Sequence, residues 1–287
     1  MKLNKIVIFG VGLIGGSFAL ALRKAGAVSE VVGFGRSSST LDQAKELGIL
    51  DRIGSDAARE VGDADLVLLA TPVGQMPFIM EHIAPSLGKH TLVTDGGSTK
   101  GDVVGYARAH LGDKVVRFIP AHPIAGAEKS GASAALADLY QGKKVVLTPL
   151  PENSKEAVAR VRKAWELCGA TVSELTPQQH DEVFAAVSHL PHLLSFALVH
   201  DLAQRDNRDQ LLSFAASGFR DFTRIAASSP EMWRDICLAN RDALMSELQQ
   251  YAAELYILHQ ALENNDAAKL EEIFSLAREV RSAWTPQ

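Results

Sequence analysis

Three closely spaced glycines near the amino terminus constrain the fold more than any other feature of this sequence. They occupy positions 10, 12 and 15 in the run KIVIFGVGLIG, after an apolar β-branched stretch and before a helical pattern at 16–22. In such a loop the first glycine permits a tight turn, the second lets the backbone approach a pyrophosphate, and the third lets helix and strand pack closely. The helix N–H groups then bind the phosphates. A merely glycine-rich turn is the alternative, but the strand–loop–helix context predicts a dinucleotide site formed by Gly10, Gly12, Leu13, Ile14 and Gly15.

The chain divides into two halves with different periodicities. Up to about Thr176, short β-branched runs alternate with helical stretches, which is typical of a parallel sheet covered on both faces. From Pro177 onward, long patterns with a 3.6-residue period replace them. We therefore expect an α/β fold, with an N-terminal Rossmann-type dinucleotide-binding domain at 1–176 and an all-α C-terminal substrate and dimerisation domain at 177–287. The predicted strands are 5–9, 30–34, 65–70, 91–95, 115–119, 143–148 and 170–175, and the later helices are 180–205, 209–227, 230–264 and 267–283.

The pattern at 230–264 predicts one helix of about 35 residues, which would be about 50 Å long. Its apolar positions recur over many turns, from Trp233 to Leu262. A helix of that length extends beyond the core of a small domain, so part of it is expected to pack against a second copy of the chain. A helix covered by its own neighbours is the alternative. The pattern favours a homodimer formed through the C-terminal helices.

Composition limits the classes of partner. The 287 residues carry a formal net charge of −5, which argues against nucleic acid and against an anionic membrane surface. No uncharged apolar run approaches the ~20 residues needed to cross a bilayer, and the amino terminus does not resemble a signal peptide. Cys168 and Cys237 lie far apart without a CxxC spacing, so neither a disulfide framework nor a cysteine-based metal site is expected. These features favour a reducing cytoplasm.

The residues after the second predicted strand bear on which dinucleotide binds. About 20 residues beyond the glycine loop, an NAD site usually offers Asp or Glu to the ribose 2′-hydroxyl. Gly35 stands there, followed by Arg36, Ser37 and Ser38. A guanidinium and hydroxyls in place of a carboxylate favour a 2′-phosphate. We expect NADP as the cofactor, with NAD as the second choice; an exposed loop without a ligand is the alternative interpretation.

Three further segments follow predicted strands and should lie at the same edge of the sheet. Thr71 and Pro72 end the strand at 65–70, where they either line the dinucleotide or simply terminate the strand. Ser98 lies in the run DGGSTK, and His122 lies between two prolines in PAHPIAG. An imidazole can accept a proton from a substrate hydroxyl while hydride leaves the same carbon, and a serine can hydrogen-bond that hydroxyl. We predict His122 and Ser98 as catalytic residues; a structural histidine in a loop is the alternative.

Two histidines in the helical half share one predicted helix face. The run SHLPH places His189 and His192 at i and i+3. Together with His180 and Asp181 they could form a metal site. Hydride transfer to nicotinamide needs no metal, so we expect none and favour substrate contact or core packing.

A pair of arginines suggests an anionic substrate. Arg220 and Arg224 are spaced i, i+4 on a predicted helix, and a guanidinium matches a carboxylate in a bidentate manner. A solvated charged face is the alternative. Trp233, at the start of the next helix, either forms a wall of the site or packs in the core.

Five runs occur in order along the chain: GVGLIGGS, DGGSTK, AHPIAGAEKSG, SHLPH and FRDFTRIAASSPEMWRDI. Together they resemble the prephenate/arogenate (cyclohexadienyl) dehydrogenases of tyrosine biosynthesis, over residues 5 to about 240. The resemblance implies oxidative decarboxylation of prephenate to 4-hydroxyphenylpyruvate, of arogenate to tyrosine, or of both, with hydride transfer to NADP.

The resemblance also implies roles for individual residues. The motif histidine that matches His122 polarises or deprotonates the ring hydroxyl, and the serine that matches Ser98 assists it and contacts the nicotinamide. His192 matches a residue that lines the substrate pocket, with His189 beside it, and Arg224 matches the arginine that binds the ring carboxylate. Two positions depart from the pattern: some relatives carry Lys in place of Arg220, and many carry an acidic residue in place of Gly35. The second departure favours NADP.

Two other interpretations stay open. One is another NADP-dependent oxidoreductase with a Rossmann domain followed by helices, such as an imine or 3-hydroxyacid reductase. The β-hydroxyacid dehydrogenases of that build use a lysine early in the helical domain, whereas Lys269 is the only lysine after Pro177. The other interpretation is a non-catalytic NADP(H)-sensing protein, which would bind the dinucleotide without turnover.

Overall fold

Six short strands pair in parallel to form the central sheet of the computed structural model, which describes residues 1–126 and 131–285. They are β1 Leu3–Phe9, β2 Val28–Phe34, β3 Arg52–Ile53, β4 Leu66–Leu69, β5 Leu92–Asp95 and β6 Phe118–Ile119. Their order is β3-β2-β1-β4-β5-β6. The order reverses between β1 and β4, which creates a crevice at the carboxyl ends of these strands. The predicted Rossmann-type sheet is confirmed, although a 3-10 turn, Gly112–Arg117, replaces most of the strand predicted at 115–119.

Helices cover both faces of this sheet. They are α1 Leu13–Lys24, α2 Ser38–Glu46, α3 Ala57–Gly62, α4 Met76–Ile83 and α5 Gly101–Leu111. Along β1, Ile6 and Ile8 pack with Phe18 in one core cluster, whereas Val7 and Phe9 belong to a second cluster on the opposite face. The strands are apolar on both sides because both sides are buried.

A second, smaller sheet carries His122. Its strands are β7 Ala121–Pro123, β8 Lys144–Leu147 and β9 Thr171–Glu174, with helix α6 Lys155–Leu167 before β9. β7 runs antiparallel to β8, and β8 runs parallel to β9. The prediction that 143–148 and 170–175 join one parallel sheet was therefore wrong, and His122 lies in a strand instead of a loop. The chain leaves the first sheet at Pro120, which has no N–H with which to extend the ladder beyond β6.

The helical half begins with a long, nearly continuous helix. It comprises α7 Pro177–Phe184, a π-helical turn Ala185–His189 and α8 Leu190–Ala203. It starts earlier than predicted because the side chains of Thr176 and Gln179 each accept from the other's backbone N–H, at 3.1 and 3.0 Å, as a capping box. By length and composition this helix could cross a membrane, contrary to the expectation that no segment would be apolar enough, but core helices of soluble proteins pass the same test. His180 and His189 on this helix are buried.

Two of the predicted helices are interrupted. The pattern at 209–227 forms α9 Arg208–Ser213, α10 Ser217–Thr223 and a 3-10 turn Arg224–Ala227, because Ala216 is extended with φ −113° and ψ −167°. The pattern at 230–264 forms α11 Pro230–Ala239 and α12 Arg241–Glu263, separated by Asn240 with φ −106° and ψ 34°. The prediction of one 35-residue helix was thus wrong. The last helix, α13 Ala267–Ala283, lies where the sequence places it.

Large apolar side chains remain exposed on the outer faces of α12 and α13. Tyr256 and Leu262 on α12 are 64% and 65% exposed, and Leu276 and Val280 on α13 are 64% and 63% exposed. A groove of about 1520 Å³ between α13 and the second sheet is lined in part by these α13 residues. An apolar surface of this kind marks an interaction site.

Candidate active site

The glycine loop opens at the carboxyl end of β1. Gly10 has φ +94°, and a Cβ there would lie 2.3 Å from the Ala70 carbonyl oxygen. A Cβ at Gly15 would lie 2.1 Å from the Gly10 carbonyl oxygen, so this position allows the helix to pack on the strand. A Cβ at Gly12 would meet no atom within 4 Å. The first and third glycines are therefore required by the protein's own packing, whereas the second faces open space that a pyrophosphate can approach.

A cavity of about 650 Å³ lies against this loop, at the carboxyl ends of β1, β2 and β4. Six of the predicted cofactor residues line it, namely Gly10, Gly12, Arg36, Ser37, Thr71 and Pro72. Leu13, Ile14, Gly15, Ser38 and Ser98 are not among its lining residues. Sequence analysis missed Gln75, Phe78 and His82, which complete the cavity from the side of α4. Only the fold brings this part of the chain opposite the glycine loop, so no local sequence motif predicts that these three residues line the cavity.

The loop after β2 is ordered by its serines. Ser37 caps α2, since its hydroxyl accepts from Thr40 N at 3.2 Å, and Ser38 is the first residue of that helix. With its amide oxygen turned towards Arg36, Gln75 accepts from both terminal guanidinium nitrogens at 3.2 Å. A Cβ at Gly35 would lie 3.4 Å from the nearest Leu41 carbon, an ordinary contact. Space for a side chain therefore exists at Gly35, and the missing carboxylate is not a consequence of crowding.

A buried ion pair holds the loop that carries Ser98. The side chains of Asp95 and Lys100 are fully buried and bonded to each other. Asp95 also accepts from Gly97 N at 2.8 Å and from Ala121 N at 3.0 Å, while the Lys100 ammonium donates to the Ala121 carbonyl at 2.8 Å. Burying charges is costly unless their hydrogen bonds are satisfied. These bonds satisfy the pair and fasten the loop 96–99 to the first residue of β7.

Three side chains form a chain of hydrogen bonds across the two halves of the protein. His122 Nδ1 lies 2.8 Å from His180 Nε2, and His180 Nδ1 lies 2.8 Å from Asp181 Oδ1. The carboxylate of Asp181 accepts from Lys100 N at 2.8 Å and from Gly101 N at 2.7 Å, at the start of α5. Asp181 on α7 therefore caps a helix of the N-terminal half and orients His180.

Burial controls the protonation of these groups. It lowers the pKa of His122 well below the ordinary 6.5, and the neighbouring His180 and Lys100 add to this effect. Burial also lowers the pKa of His180, although Asp181 opposes the shift. For Asp181 burial acts to raise the pKa, but the hydrogen bonds from His180, Gly101 and Lys100 prevail and lower it. At neutral pH both imidazoles are therefore uncharged and Asp181 is ionised.

The two histidines of the SHLPH run have different surroundings. His189 is buried, its Nδ1 lies 3.1 Å from the Asn240 amide nitrogen, and the ring hydrogen-bonds to the backbone of Ser98. Burial lowers its pKa to about 4. His192 donates from Nδ1 to the Ser188 carbonyl at 2.9 Å, which leaves Nε2 for a ligand.

The ring of His192 stacks on Trp233. The ring centroids lie 3.6 Å apart, with an interplanar angle of 19°. Trp233 is buried, and its indole N–H has no hydrogen-bond partner among the described residues. Burial lowers the pKa of His192, and the positive charge of Arg224 adds to this effect. Trp233, His192 and Arg224 are thus brought together.

Arg220 lies one helical turn before Arg224 in the sequence. α10 ends at Thr223, so Arg224 begins the 3-10 turn that follows, and the two arginines do not share one regular helix. The Arg220 side chain is 77% exposed and pairs with Asp221 at 3.4 Å. The expectation that both arginines lie on one regular helix was therefore wrong, whereas substrate contact by Arg220 stays a prediction. Among residues 1–126 and 131–285, no three His, Cys, Asp or Glu side chains are arranged to hold a metal ion.

Each half of the chain matches a separate protein-family domain. Residues 18–174 match the family described as prephenate dehydrogenase, nucleotide-binding domain, and residues 176–276 match prephenate dehydrogenase, dimerization domain. The chain belongs to the prephenate dehydrogenase family. The resemblance that the five sequence runs indicate is confirmed.

Relatives within the family cover nearly the whole chain. It is 37% identical over 280 residues to a prephenate dehydrogenase of Bacillus subtilis, covering 97% of this chain and 75% of that one. It is 34% identical to a cyclohexadienyl dehydrogenase of Zymomonas mobilis, covering 97% and 95% of the two chains.

Two solved structures share both the fold and considerable identity. Prephenate dehydrogenase of Aquifex aeolicus, in complex with hydroxyphenyl propionate and NAD+, has a TM-score of 0.90 and 36% identity, covering 98% of this chain and 99% of that one. Arogenate dehydrogenase of Synechocystis has a TM-score of 0.82 and 31% identity, covering 98% and 100%. The α/β domain followed by helices is therefore the architecture of the family.

Several residues of the site carry no sequence signal of their own. The sequence indicates His180 and Asp181 only as possible metal ligands, and Lys100 only as part of the run DGGSTK. Asn240 looked like an ordinary helical residue, although its amide donates to the Asp181 carbonyl at 2.7 Å and meets His189. Four residues of the run AHPIAGAEKSG, at 127–130, lie outside the described residues.

The glycine loop allows packing and ligand approach to be tested separately. We expect Gly15→Ala to lower the free energy of unfolding by about 1–3 kcal/mol, because the new methyl group overpacks the turn. Gly12→Ala should change it by no more than about 0.5 kcal/mol, yet weaken dinucleotide binding at least about tenfold, because its methyl group occupies open space that the pyrophosphate needs. Chemical denaturation and fluorescence titration with NADPH measure the two effects. Equal loss of stability in both variants would contradict this assignment.

Proposed function

We propose that this protein oxidatively decarboxylates prephenate, arogenate or both, with hydride transfer to a nicotinamide dinucleotide. The observation that carries the proposal is His122, an uncharged, partly buried imidazole bonded to His180 at 2.8 Å. The loop that holds Ser98 is fastened beside it through Ala121. The cavity and the open space at Gly12 fit a dinucleotide. Family membership supports the same reaction.

The chemistry assigns a distinct task to each group. The bound nicotinamide supplies the hydride acceptor, at its C4 atom. As hydride leaves the carbinol carbon of the ring, His122 accepts the hydroxyl proton. The bond from the ring to its carboxylate then breaks, its electron pair passes through the ring to the carbonyl oxygen, CO2 departs, and this oxygen takes back the proton from His122. The product is an aromatic phenol, so the step is effectively irreversible.

We propose the following residue roles. His122 is the base, and Ser98 hydrogen-bonds the same hydroxyl and contacts the nicotinamide. Arg224 binds the ring carboxylate, beside a wall made by His192 and Trp233; the stacked rings and the unpartnered indole N–H support this placement.

Two predicted substrate residues act less directly in this proposal. Because Asn240 and the Ser98 backbone engage the ring of His189, His189 serves the pocket by holding Ser98 in place. Arg220 is exposed and paired with Asp221, so it adds positive charge outside the substrate contact.

We propose NADP as the preferred cofactor, with NAD as the second choice. Arg36 and Ser37 line the cavity, and Gly35 presents no carboxylate. Gly10, Gly12, Leu13, Ile14 and Gly15 would form the phosphate loop, with Ser38, Thr71 and Pro72 around it. The Aquifex aeolicus relative was solved with NAD+, so the choice of cofactor needs a direct test.

We also propose that the protein is a cytoplasmic homodimer, with the domains divided at 176/177. Its two cysteines are free, which suits a reducing compartment. The exposed apolar faces of α12 and α13 support pairing through the C-terminal helices. The match of residues 176–276 to a dimerization domain supports the same surface.

The reaction is tested by following absorbance at 340 nm with each substrate and each cofactor. We expect turnover with prephenate or arogenate, and a higher kcat/KM with NADP than with NAD. Gly35→Asp combined with Arg36→Ser should lower kcat/KM for NADP about 10- to 100-fold, because a carboxylate repels the 2′-phosphate. Ser39→Asp is the control for the carboxylate that Gly35→Asp adds, since Ser39 is exposed and does not line the cavity. A wild-type preference for NAD would overturn the cofactor proposal.

The proposed roles of His122 as the base and of Arg224 as the carboxylate ligand predict different changes in kcat and KM. His122→Asn should lower kcat about 10²- to 10⁴-fold. Arg224→Ala should mainly raise KM, and the exposed Arg220→Ala should raise it much less. In the wild type, kcat/KM should fall on the acid side only well below pH 6.5, since burial keeps His122 unprotonated down to that range. If His122→Asn and Arg224→Ala both changed KM alone, these roles would be wrong.

A further inference from the structure

Three side chains, Asp181, His180 and His122, are joined by two hydrogen bonds. The donor and the acceptor of each bond follow from the number of protons that each group carries. Asp181 is ionised and accepts from two backbone N–H groups, of Lys100 and Gly101. A carboxylate in this state has only acceptors, so its contact with His180 at 2.8 Å requires a proton on His180 Nδ1. His180 therefore donates to Asp181.

The same count fixes the proton on His122. A neutral imidazole carries one N–H, so His180 Nε2 has a lone pair and can only accept. The 2.8 Å contact with His122 Nδ1 then requires the proton of His122 to be on Nδ1. His122 Nε2 is left with its lone pair, which is the form a base needs.

We propose that His180, oriented by Asp181, is a positioning residue that holds His122 in the tautomer whose Nε2 accepts the substrate hydroxyl proton. This inference rests on the proposed function. In the reaction the proton leaves the substrate oxygen for His122 Nε2, while hydride leaves the adjoining carbon for the nicotinamide. His122 then carries a proton on both nitrogens, and its Nδ1–H remains bonded to His180.

The surroundings of the two rings favour this arrangement. Asp181 on α7 supplies the negative charge two hydrogen bonds from His122. Lys100 faces the rings with the opposite sign, but Asp95 neutralises it in the buried pair. On the π-helical turn, His189 also lies near and is uncharged at neutral pH.

The aromatic ring of Phe184 completes these surroundings, with its centroid 4.8 Å from that of His122 and 4.5 Å from that of His180. Its apolar ring offers no competing hydrogen-bond acceptor. The proton of His122 Nδ1 is therefore directed to His180.

Two substitutions at His180 separate positioning from packing. His180→Phe keeps an aromatic ring beside Phe184 and leaves the cap of α5 by Asp181 intact, but removes the acceptor for His122 Nδ1. The N–H then has no acceptor, so the proton should move to Nε2, the nitrogen that the proposed function places against the substrate. His180→Gln offers an amide oxygen near the former Nε2 and should retain the tautomer. The matched controls are the same two changes at His90, which is exposed before β5, at the opposite edge of the sheet.

We expect His180→Phe to lower kcat about 10- to 100-fold, with KM and the Kd for NADPH within about threefold. His180→Gln should regain most of this loss, and the His90 variants should match the wild type. Ring ¹⁵N NMR of the full chain should show His122 and His180 protonated at Nδ1 in the wild type, and His122 protonated at Nε2 in His180→Phe.

Three results would overturn the inference. The first is a kcat for His180→Phe within about threefold of the wild type, and the second is a wild-type His122 that is protonated at Nε2. The third is a set of parallel changes in KM, Kd and Tm, which would mark a purely structural role. If the wild type turned over neither prephenate nor arogenate, the proposed function would fail, while the NMR experiment would still decide the tautomer.

Discussion

The carboxylate of Asp181 is the contact on which the geometry of the site depends. It lies on the first helix of the helical half, yet it accepts from the N–H groups of Lys100 and Gly101, where α5 begins. Those N–H groups have no partner within their own helix, and the positive end of the helix dipole favours an anion there. One carboxylate thus joins the two halves of the protein. It also sets the position of His180 relative to the loop that ends at Lys100.

The buried pair of Asp95 and Lys100 makes that loop rigid. The side chains of the pair bond to the backbone of Gly97 in the loop and of Ala121 in β7, so they couple the loop to β7. Ser98 and His122 are therefore placed by the same pair of charges. A site that is assembled before substrate arrives needs little reorganisation during the reaction. The high cost of two unsatisfied buried charges resists other arrangements of this loop.

The sequence predicted those features that local rules determine. The glycine loop, the apolar strands and the clustering of Thr71, Ser98 and His122 near one edge all follow from short-range patterns and from the direction of parallel strands. What it missed depends on contacts across the chain. Asn240 interrupts a periodic helix because its amide bonds to Asp181 and His189, and apolar periodicity cannot reveal a break of one residue. His122 and His180 meet although 58 positions separate them, and no local motif marks that contact.

Three histidines of the candidate site are uncharged although the proposed substrate is an anion. The imidazoles of His122, His180 and His189 are uncharged at neutral pH, because desolvation lowers the pKa of each. The Arg220 side chain is 77% exposed and pairs with Asp221, so the proposed carboxylate contact falls to Arg224. An interaction that holds the departing carboxylate more strongly in the ground state than in the transition state would oppose its loss as neutral CO2. One guanidinium can orient the carboxylate without that penalty, and the neutral imidazole of His122 can still accept the proton. The same burial that removes positive charge from the site therefore prepares its base.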